Sequence, residues 1–325
     1  MKPVVLCTAP LHFLPDVKAA LERDFEMLYA FNEPPEKVAS LLPRAQGLIT
    51  NPGTTFRYDA GLLSKAVALR YIITPSTGRD HIDLDWCAKM GVYVEALRGH
   101  EDVIADIHSS AEFSFALLMA MIRKLVPAAE GARQGRWREV EDEFRGIELH
   151  SKKVLLVGYG RIGRKMSRYL HAFGAEVAAL DPLQKQLDSW VRRVASLEEG
   201  LPEADIVCLH VHLDPETRGM FGARQFGLMK QGAYFLNTAR GGLVDEAALV
   251  AALESGRLTA AAVDVIDGEQ GSVIAENPLV RLARARPERL TVTPHIAGLS
   301  VDSQRKAALF ALASLRGYFK VRFDA

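Results

Sequence analysis

Residues Lys153 to Pro182 read KVLLVGYGRIGRKMSRYLHAFGAEVAALDP, and the punctuation of this stretch decides the fold. Val154-Leu155-Leu156-Val157 is apolar at consecutive positions, which fits a strand covered on both faces. It ends at Gly158-Tyr159-Gly160-Arg161-Ile162-Gly163, and a helical pattern then runs to Phe173. Gly174 is placed to stop that helix, and Glu176–Leu180 reads as a second buried strand ending at Asp181. In such a turn Gly158 allows the tight bend, Gly160 lets backbone approach a pyrophosphate, and Gly163 lets helix and strand pack closely. The helix N-terminus adds unpaired N–H groups and partial positive charge. Asp181, eighteen residues after Gly163, stands where a carboxylate accepts hydrogen bonds from an adenosine ribose. The stretch therefore reads as a dinucleotide site. A flavin dinucleotide, S-adenosylmethionine and an unliganded βαβ unit are the alternatives.

The rest of the chain fits around this unit. Its 325 residues suggest two domains, and 49% hydrophobic content is ample for their cores. Forty basic residues balance forty acidic ones, so no charge excess points to nucleic acid or an anionic membrane. The three cysteines, Cys7, Cys87 and Cys208, form no CxxC and no paired framework, and no metal-ligand spacing appears. Free thiols, the absence of a secretory signal and an apolar helical stretch near Phe113–Ile122 too short for a membrane span lead us to expect a cytoplasmic protein.

Residues 1–95 alternate short apolar runs (Val4–Cys7, Phe25–Tyr29, Gly47–Thr50, Tyr71–Thr74, Val92–Val94) with helical patterns, which predicts a first parallel α/β unit. It has no glycine-rich phosphate loop. Its strand-to-helix loops carry Pro10, Asn51-Pro52-Gly53-Thr54 and Pro75-Ser76-Thr77-Gly78, and Leu11, Thr54, Arg98 and His100 are candidate lining residues. A polar connection over 96–110 precedes a long helical pattern, AEFSFALLMAMIRKLVPAAEGAR, interrupted late at Pro127. From Lys153 a second parallel unit follows, with further strands at Val191–Val194, Asp205–Leu209, Ala233–Leu236, Leu258–Val263 and Leu290–Thr293. Val301–Phe319 is an amphipathic helix expected to return to the first unit.

Ligands in open α/β sheets sit outside the carboxyl ends of the strands. In the second unit nearly every strand ends there on a polar residue: Asp181, His210, Asn237-Thr238-Ala239-Arg240, Asp264 with Glu269 beyond it, and Thr293-Pro294-His295. A hydride accepted by a carbonyl carbon leaves an alkoxide needing a proton, and His295 suits that transfer. A carboxylate such as Glu269 would orient its ring. The Arg240 guanidinium suits a bidentate grip on a substrate carboxylate. Taken singly, each has a plain alternative as a loop or capping residue.

Across LNTARGGLVDEAALVAAL (236–253), AAVDVIDGEQ (261–270), TPHIAG (293–298) and HLDPETRGMFG (212–222), the chain resembles the D-isomer-specific 2-hydroxyacid dehydrogenases. The resemblance runs from about Gly78-Arg79-Asp80-His81-Ile82-Asp83-Leu84 to the C-terminus. It implies a Rossmann coenzyme domain (103–296) inserted in a flavodoxin-like substrate domain (1–102 and 297–325), and a homodimer. The family's catalytic residues fall on Arg240, Glu269 and His295. Its nicotinamide-carboxamide contact falls on Asp264, and the loop whose backbone binds the substrate carboxylate falls on Thr77-Gly78, with Arg240 and His295 completing the substrate set. The cofactor set comprises Gly158, Tyr159, Gly160, Arg161, Ile162, Gly163, Asp181, His210, Val211, Thr217, Thr238, Ala239, Arg240, Asp264, His295 and Gly298. The family often has Asn where His81 stands and Pro where Gln270 stands, and residues 96–110 are longer than its common pattern. Formate dehydrogenases are disfavoured, because they carry Gln where Glu269 stands.

Asp181 would repel a 2′-phosphate, and no Arg follows in Asp181-Pro182-Leu183-Gln184, which favours NAD over NADP. The expectation is an NAD-dependent reductase of a small 2-oxo acid. An NAD(H)-sensing binding protein of the same fold, and a dehydrogenase of another oxyanion such as phosphite, are the alternatives.

Overall fold

The computed structural model describes residues 2–269 and 273–320, so Gln270 and residues 321–325 of the expected first domain lie outside the described residues. The chain divides into two compact units, Met1–Ile107 with Leu299–Ala325, and His108–Gly298. The first division falls after Ile107 because Ile104 and Ile107, in the polar connection, are buried in the first unit's core.

The first unit holds β1 (Val4–Cys7), β2 (Glu26–Tyr29), β3 (Gly47–Ile49), β4 (Tyr71–Thr74) and β5 (Tyr93–Ala96) in the order β2-β1-β3-β4-β5. All pairs are parallel, and the order is the flavodoxin-like one. Alternate strand residues feed two apolar layers. Val5, Ile49 and Ile73 face one way, while Leu6, Leu48 and Ile72 face the other. The helix Val301–Phe319 covers the first layer with Ala311, Leu312 and Leu315. Arg316 pins it there, with Nε 2.6 Å from Asp24 Oδ2.

The second unit holds β6 (Lys153–Val157), β7 (Glu176–Leu180), β8 (Val191–Arg193), β9 (Ile206–Leu209), β10 (Ala233–Asn237), β11 (Leu258–Val263) and β12 (Leu290–Val292). Their order, β12-β11-β10-β9-β6-β7-β8, reverses direction at β6, and every pair is parallel. This is the Rossmann arrangement, in which the reversal opens a crevice outside the carboxyl ends of β6 and β9. Leu155 and Val157 enter one core layer and Val154 and Leu156 the other, which explains the unbroken apolar run.

Two local expectations change. The helical pattern over 111–133 breaks at Lys124, whose φ is +51°, and Pro127 lies inside the first turn of the helix Leu125–Arg133. Proline is tolerated there because a first-turn N–H has no intrahelical acceptor. Helical residues over Glu101–Ile122 also reach the length and hydropathy of a membrane span. They are broken between the helices Glu101–Ala105 and Ser109–Ile122. The longer piece rises only about 21 Å, and it buries Leu117, Leu118, Met121 and Ile122 in a core layer of the second unit.

Candidate active site

The glycine loop is built as its spacing requires, with one refinement. Gly158 has φ +99°, and a Cβ there would lie 2.5 Å from the His210 carbonyl oxygen at the end of β9. A Cβ at Gly163 would lie 2.2 Å from the Gly158 carbonyl oxygen, so Gly163 packs against the loop rather than the strand. Nothing stands within 4 Å of a Cβ at Gly160, which leaves this face of the loop open. Among the described residues nothing accepts from the backbone N–H of Gly160 or Ile162 at the start of the helix Arg161–Ala172. Open space, unclaimed donors and a helix N-terminus together fit a pyrophosphate.

Asp181 shapes this loop as well as standing beside it. Its Oδ2 accepts from Tyr159 N at 2.8 Å, and its Oδ1 accepts from Leu183 N at 2.9 Å. A carboxylate has about four acceptor positions, so capacity for a ribose hydroxyl remains. Tyr159 is different. Its N–H is committed to Asp181, and its fully buried side chain bonds Ser167 and Asp188 through the hydroxyl. The tertiary structure also brings guanidinium groups to the loop that local sequence did not show. Arg193 Nη2 donates to the Gln184 carbonyl at 2.8 Å, and Arg164 donates to the Gln184 side chain at 3.1 Å.

His210 Nε2 is shut off from water and has no hydrogen-bond partner, alone in this respect among the buried side-chain nitrogens and oxygens of the described residues. Such an orphan calls for an explanation. Its backbone carbonyl and Cβ lie against Gly158 and Gly163, which puts the residue at the root of the glycine loop. Burial lowers its pKa from 6.5 to about 4, so the ring is neutral at pH 7. The unfolded chain binds a proton at this residue below pH 6.5, whereas the folded chain does so only below about pH 4. Stability is therefore full above the upper value and falls as pH drops toward the lower one. Between pH 7 and about 4.5, wild type should lose on the order of 2 kcal/mol more than His210→Gln. Chemical denaturation at the two pH values measures this, and equal losses would remove His210 as the cause.

The loops after β10, β11 and β12 are laced together. A Cβ at Gly241 would lie 1.9 Å from Ile266 C, so the Arg240 loop crosses directly against the loop leading to Glu269. Asp264, fully buried, accepts from Thr293 Oγ1 at 2.6 Å, Ile296 N at 3.0 Å and Ala297 N at 2.8 Å. Its backbone O accepts from His295 N at 2.8 Å, and its N donates to Asn237 O. His295 is thereby held at φ +54°, a left-handed conformation that a non-glycine residue needs support to keep. Its Nδ1 lies 2.6 Å from Glu269 Oε1. The two side chains are 41% and 30% exposed, and an exposed pair adds only about 0–1 kcal/mol of stability. The pair thus orients the ring more than it holds the fold. Nδ1–H on the carboxylate leaves Nε2 for a substrate. The Glu269 loop is itself tied back, because Glu246 accepts from Asp267 N at 2.7 Å.

Arg240 lies in extended backbone, half-buried, with Nη1 donating to Ala239 O at 2.7 Å. Asn237 shapes this turn, accepting from Ala239 N and donating to Arg240 O. Thr238 Oγ1 pairs with Ser114 Oγ at 2.6 Å, and Ser109 Oγ donates to Ala297 O at 2.7 Å. The first turns of one helix therefore brace both the Arg240 and His295 loops. Neither serine stands out in the sequence as a site residue. A double serine before a helix is a visible start signal, but partners 124 and 188 residues away are not.

Val211 lies against the glycine loop, 2.9 Å from a Cβ at Gly158. Thr217 organises its own loop, donating to His212 O and accepting from Asp214 N. Gly298 ends the unit with open space about it. In the first unit His100 is taken by Glu95, 3.0 Å away. Leu11 is in the core, Thr54 Oγ1 donates to Phe56 O, and Arg98 is exposed. The cysteines are buried, and burial pushes the Cys7 and Cys87 thiols up to about 12 and about 11, too high for thiolate chemistry. Among the described residues no three His, Cys, Asp or Glu side chains gather as a metal site.

Residues 115–297, which carry this geometry, match the family model described as D-isomer specific 2-hydroxyacid dehydrogenase, NAD binding domain. The chain is 33% identical to glyoxylate/hydroxypyruvate reductase B of Salmonella typhi, over 97% of its own length and 94% of that protein. The chain belongs to the D-isomer specific 2-hydroxyacid dehydrogenase family. It is also 33% identical to D-3-phosphoglycerate dehydrogenase of Mycobacterium tuberculosis, but spans only 56% of that relative's length. The D-lactate dehydrogenase of Aquifex aeolicus, solved with NAD and lactic acid, aligns over 98% of this chain and 95% of its own, with TM-score 0.80 and 27% identity. The glycine loop and its open face thus belong to the family's NAD-binding domain, and the laced loops after β10 and β11 lie in the same domain.

Proposed function

We propose that this 2-hydroxyacid dehydrogenase family member is an enzyme that reduces a small 2-oxo acid to the D-2-hydroxy acid and runs the reverse reaction. The observation that carries the reading is the His295–Glu269 pair, joined across the loops after the last two strands of an NAD-binding sheet, with Asp264 holding the His295 loop. Bound NADH would be held by the glycine loop, Asp181 and the His210 region, and would supply the hydride. His295, its Nδ1–H committed to Glu269, gives the Nε2 proton to the carbonyl oxygen as it gains negative charge, and takes it back in the reverse direction. Arg240 offers a guanidinium to the substrate carboxylate. In the first unit the loop Thr77–Arg79 offers a second anion-binding element. Among the described residues no group accepts from the N–H of Thr77, Gly78 or Arg79.

We expect NAD to be preferred over NADP, because the Asp181 carboxylate stands where a 2′-phosphate would come, and Arg193 is spent on backbone carbonyls. A cytoplasmic homodimer, with neither nucleic acid nor membrane as partner, completes the proposal. Its support is the balanced charge, the free buried thiols and the family resemblance. The test is oxidation of NADH and of NADPH against a panel of 2-oxo acids that includes sugar-derived and dicarboxylic members. Turnover with at least one acid, and kcat/KM at least about tenfold higher with NADH, is the expected result. Tight NADH binding with no turnover across the panel would instead favour a sensor.

A further inference from the structure

Beneath the Thr77–Arg79 loop the first unit carries a buried polar chain that a catalytic reading leaves unused. His81 is buried, with Nε2 2.9 Å from Thr50 Oγ1 at the end of β3 and 3.5 Å from Thr74 Oγ1 at the end of β4. Thr74 Oγ1 lies 3.0 Å from Ser76 Oγ, and Ser76 Oγ donates to the Gly78 carbonyl at 2.8 Å. The direction of this chain follows from its end. A carbonyl can only accept, so the Ser76 hydroxyl proton goes to Gly78 O. The Ser76 oxygen then accepts from Thr74, and the Thr74 oxygen is left to accept from the Nε2–H of His81, which it shares at 3.5 Å with the nearer Thr50 Oγ1 at 2.9 Å. His81 is anchored in turn, since its backbone O accepts from Tyr58 N at 2.8 Å.

We propose that His81, acting through Thr74 and Ser76, is a positioning residue for the substrate-carboxylate loop. The inference rests on the reading that Thr77–Arg79 N–H groups bind that carboxylate. The peptide after Gly78 is trans, as are all the described peptides, so its C=O and N–H lie on opposite sides. Pinning the Gly78 carbonyl onto Ser76 Oγ turns the Arg79 N–H away from that hydroxyl, in a loop whose Thr77 and Gly78 N–H groups are also unclaimed among the described residues. An unpinned loop would have to be ordered by the substrate, at a cost in affinity. The His found where the family often has Asn thus has work to do through its hydrogen bonds, though it touches no reactant.

The test uses the full-length protein and the best substrate from the 2-oxo acid panel. Thr74→Val, Ser76→Ala and His81→Phe each remove one link. Each should raise KM for the 2-oxo acid about tenfold, with kcat within about twofold and NADH affinity unchanged. His81→Gln, which restores a side-chain N–H donor, should recover most of the loss. Tyr58→Phe is the control. It breaks the buried 2.6 Å Thr8–Tyr58 hydroxyl pair nearby but no link of the chain, so it should lower the melting temperature and leave KM alone. Hydrogen exchange of the Ile82 and Leu97 amides, which donate to Arg79 O and Ser76 O at 3.0 Å, read by mass spectrometry, should accelerate in the three link variants and not in Tyr58→Phe. Unchanged KM and unchanged exchange in the link variants, or a KM rise in Tyr58→Phe equal to theirs, would overturn the proposal. Accelerated exchange in a protein that turns over no 2-oxo acid would uphold the positioning chain and defeat the proposed reaction.

Discussion

Replacing His295 with alanine is expected to lower turnover by about two to four powers of ten while leaving NADH affinity close to wild type. The magnitude is that of a lost general acid. The 2.6 Å contact with Glu269 shows a ring already oriented for the task. Position 295 has φ +54°, where alanine costs roughly 1–2 kcal/mol of backbone strain. His295→Asn separates the two effects, since asparagine tolerates that conformation and lacks the proton chemistry. Steady-state kinetics on both variants, with melting curves beside them, make the measurement. Near-normal turnover in the asparagine variant would take His295 out of the mechanism.

Asp264→Ala is expected to be the most destabilising single change at the site, costing about 3–5 kcal/mol. The carboxylate is fully buried and accepts three hydrogen bonds, two of them from the backbone N–H groups of Ile296 and Ala297. Removing it strands those donors, so the cost exceeds that of three ordinary hydrogen bonds to water-exposed groups. A fall in melting temperature of roughly 10 °C should accompany it. Turnover should drop as well, because the loop that holds His295 in its left-handed conformation hangs on this residue. An alanine variant that melts like wild type would show that the loop has other supports.

The resemblance gave Asp264 a role toward the nicotinamide, and the structure shows a prior one, as the knot joining the ends of β10, β11 and β12. Asp181 shows the same pattern. Its distance from Gly163 was legible as a ribose ligand, while its bond to the Tyr159 N–H could be seen only once the chain had turned back. Tyr159, inside the glycine fingerprint, is a core residue. Arg193, outside every motif, reaches the loop that follows Asp181. His81, standing where the family often has Asn, lies at the root of a hydrogen-bond chain reaching the Gly78 carbonyl.

The two parallel sheets, their strands to within about two residues, the dinucleotide loop and the strand-end residues from which the site is built are all legible in the sequence. These are legible because each rests on short-range rules: consecutive apolar residues for a strand covered on both faces, glycine where no Cβ fits, a polar residue where a strand stops. Which of those residues hold and which act depends on contacts made across the folded chain. A hydrogen bond between Ser114 and Thr238, or between Asp264 and Ala297, joins residues with no periodic relation, and its formation depends on sheet order and crossing loops. The Lys153–Pro182 stretch declares that a dinucleotide belongs here. The knot at Asp264, formed only on folding, sets His295 and Glu269 at the same edge of the sheet.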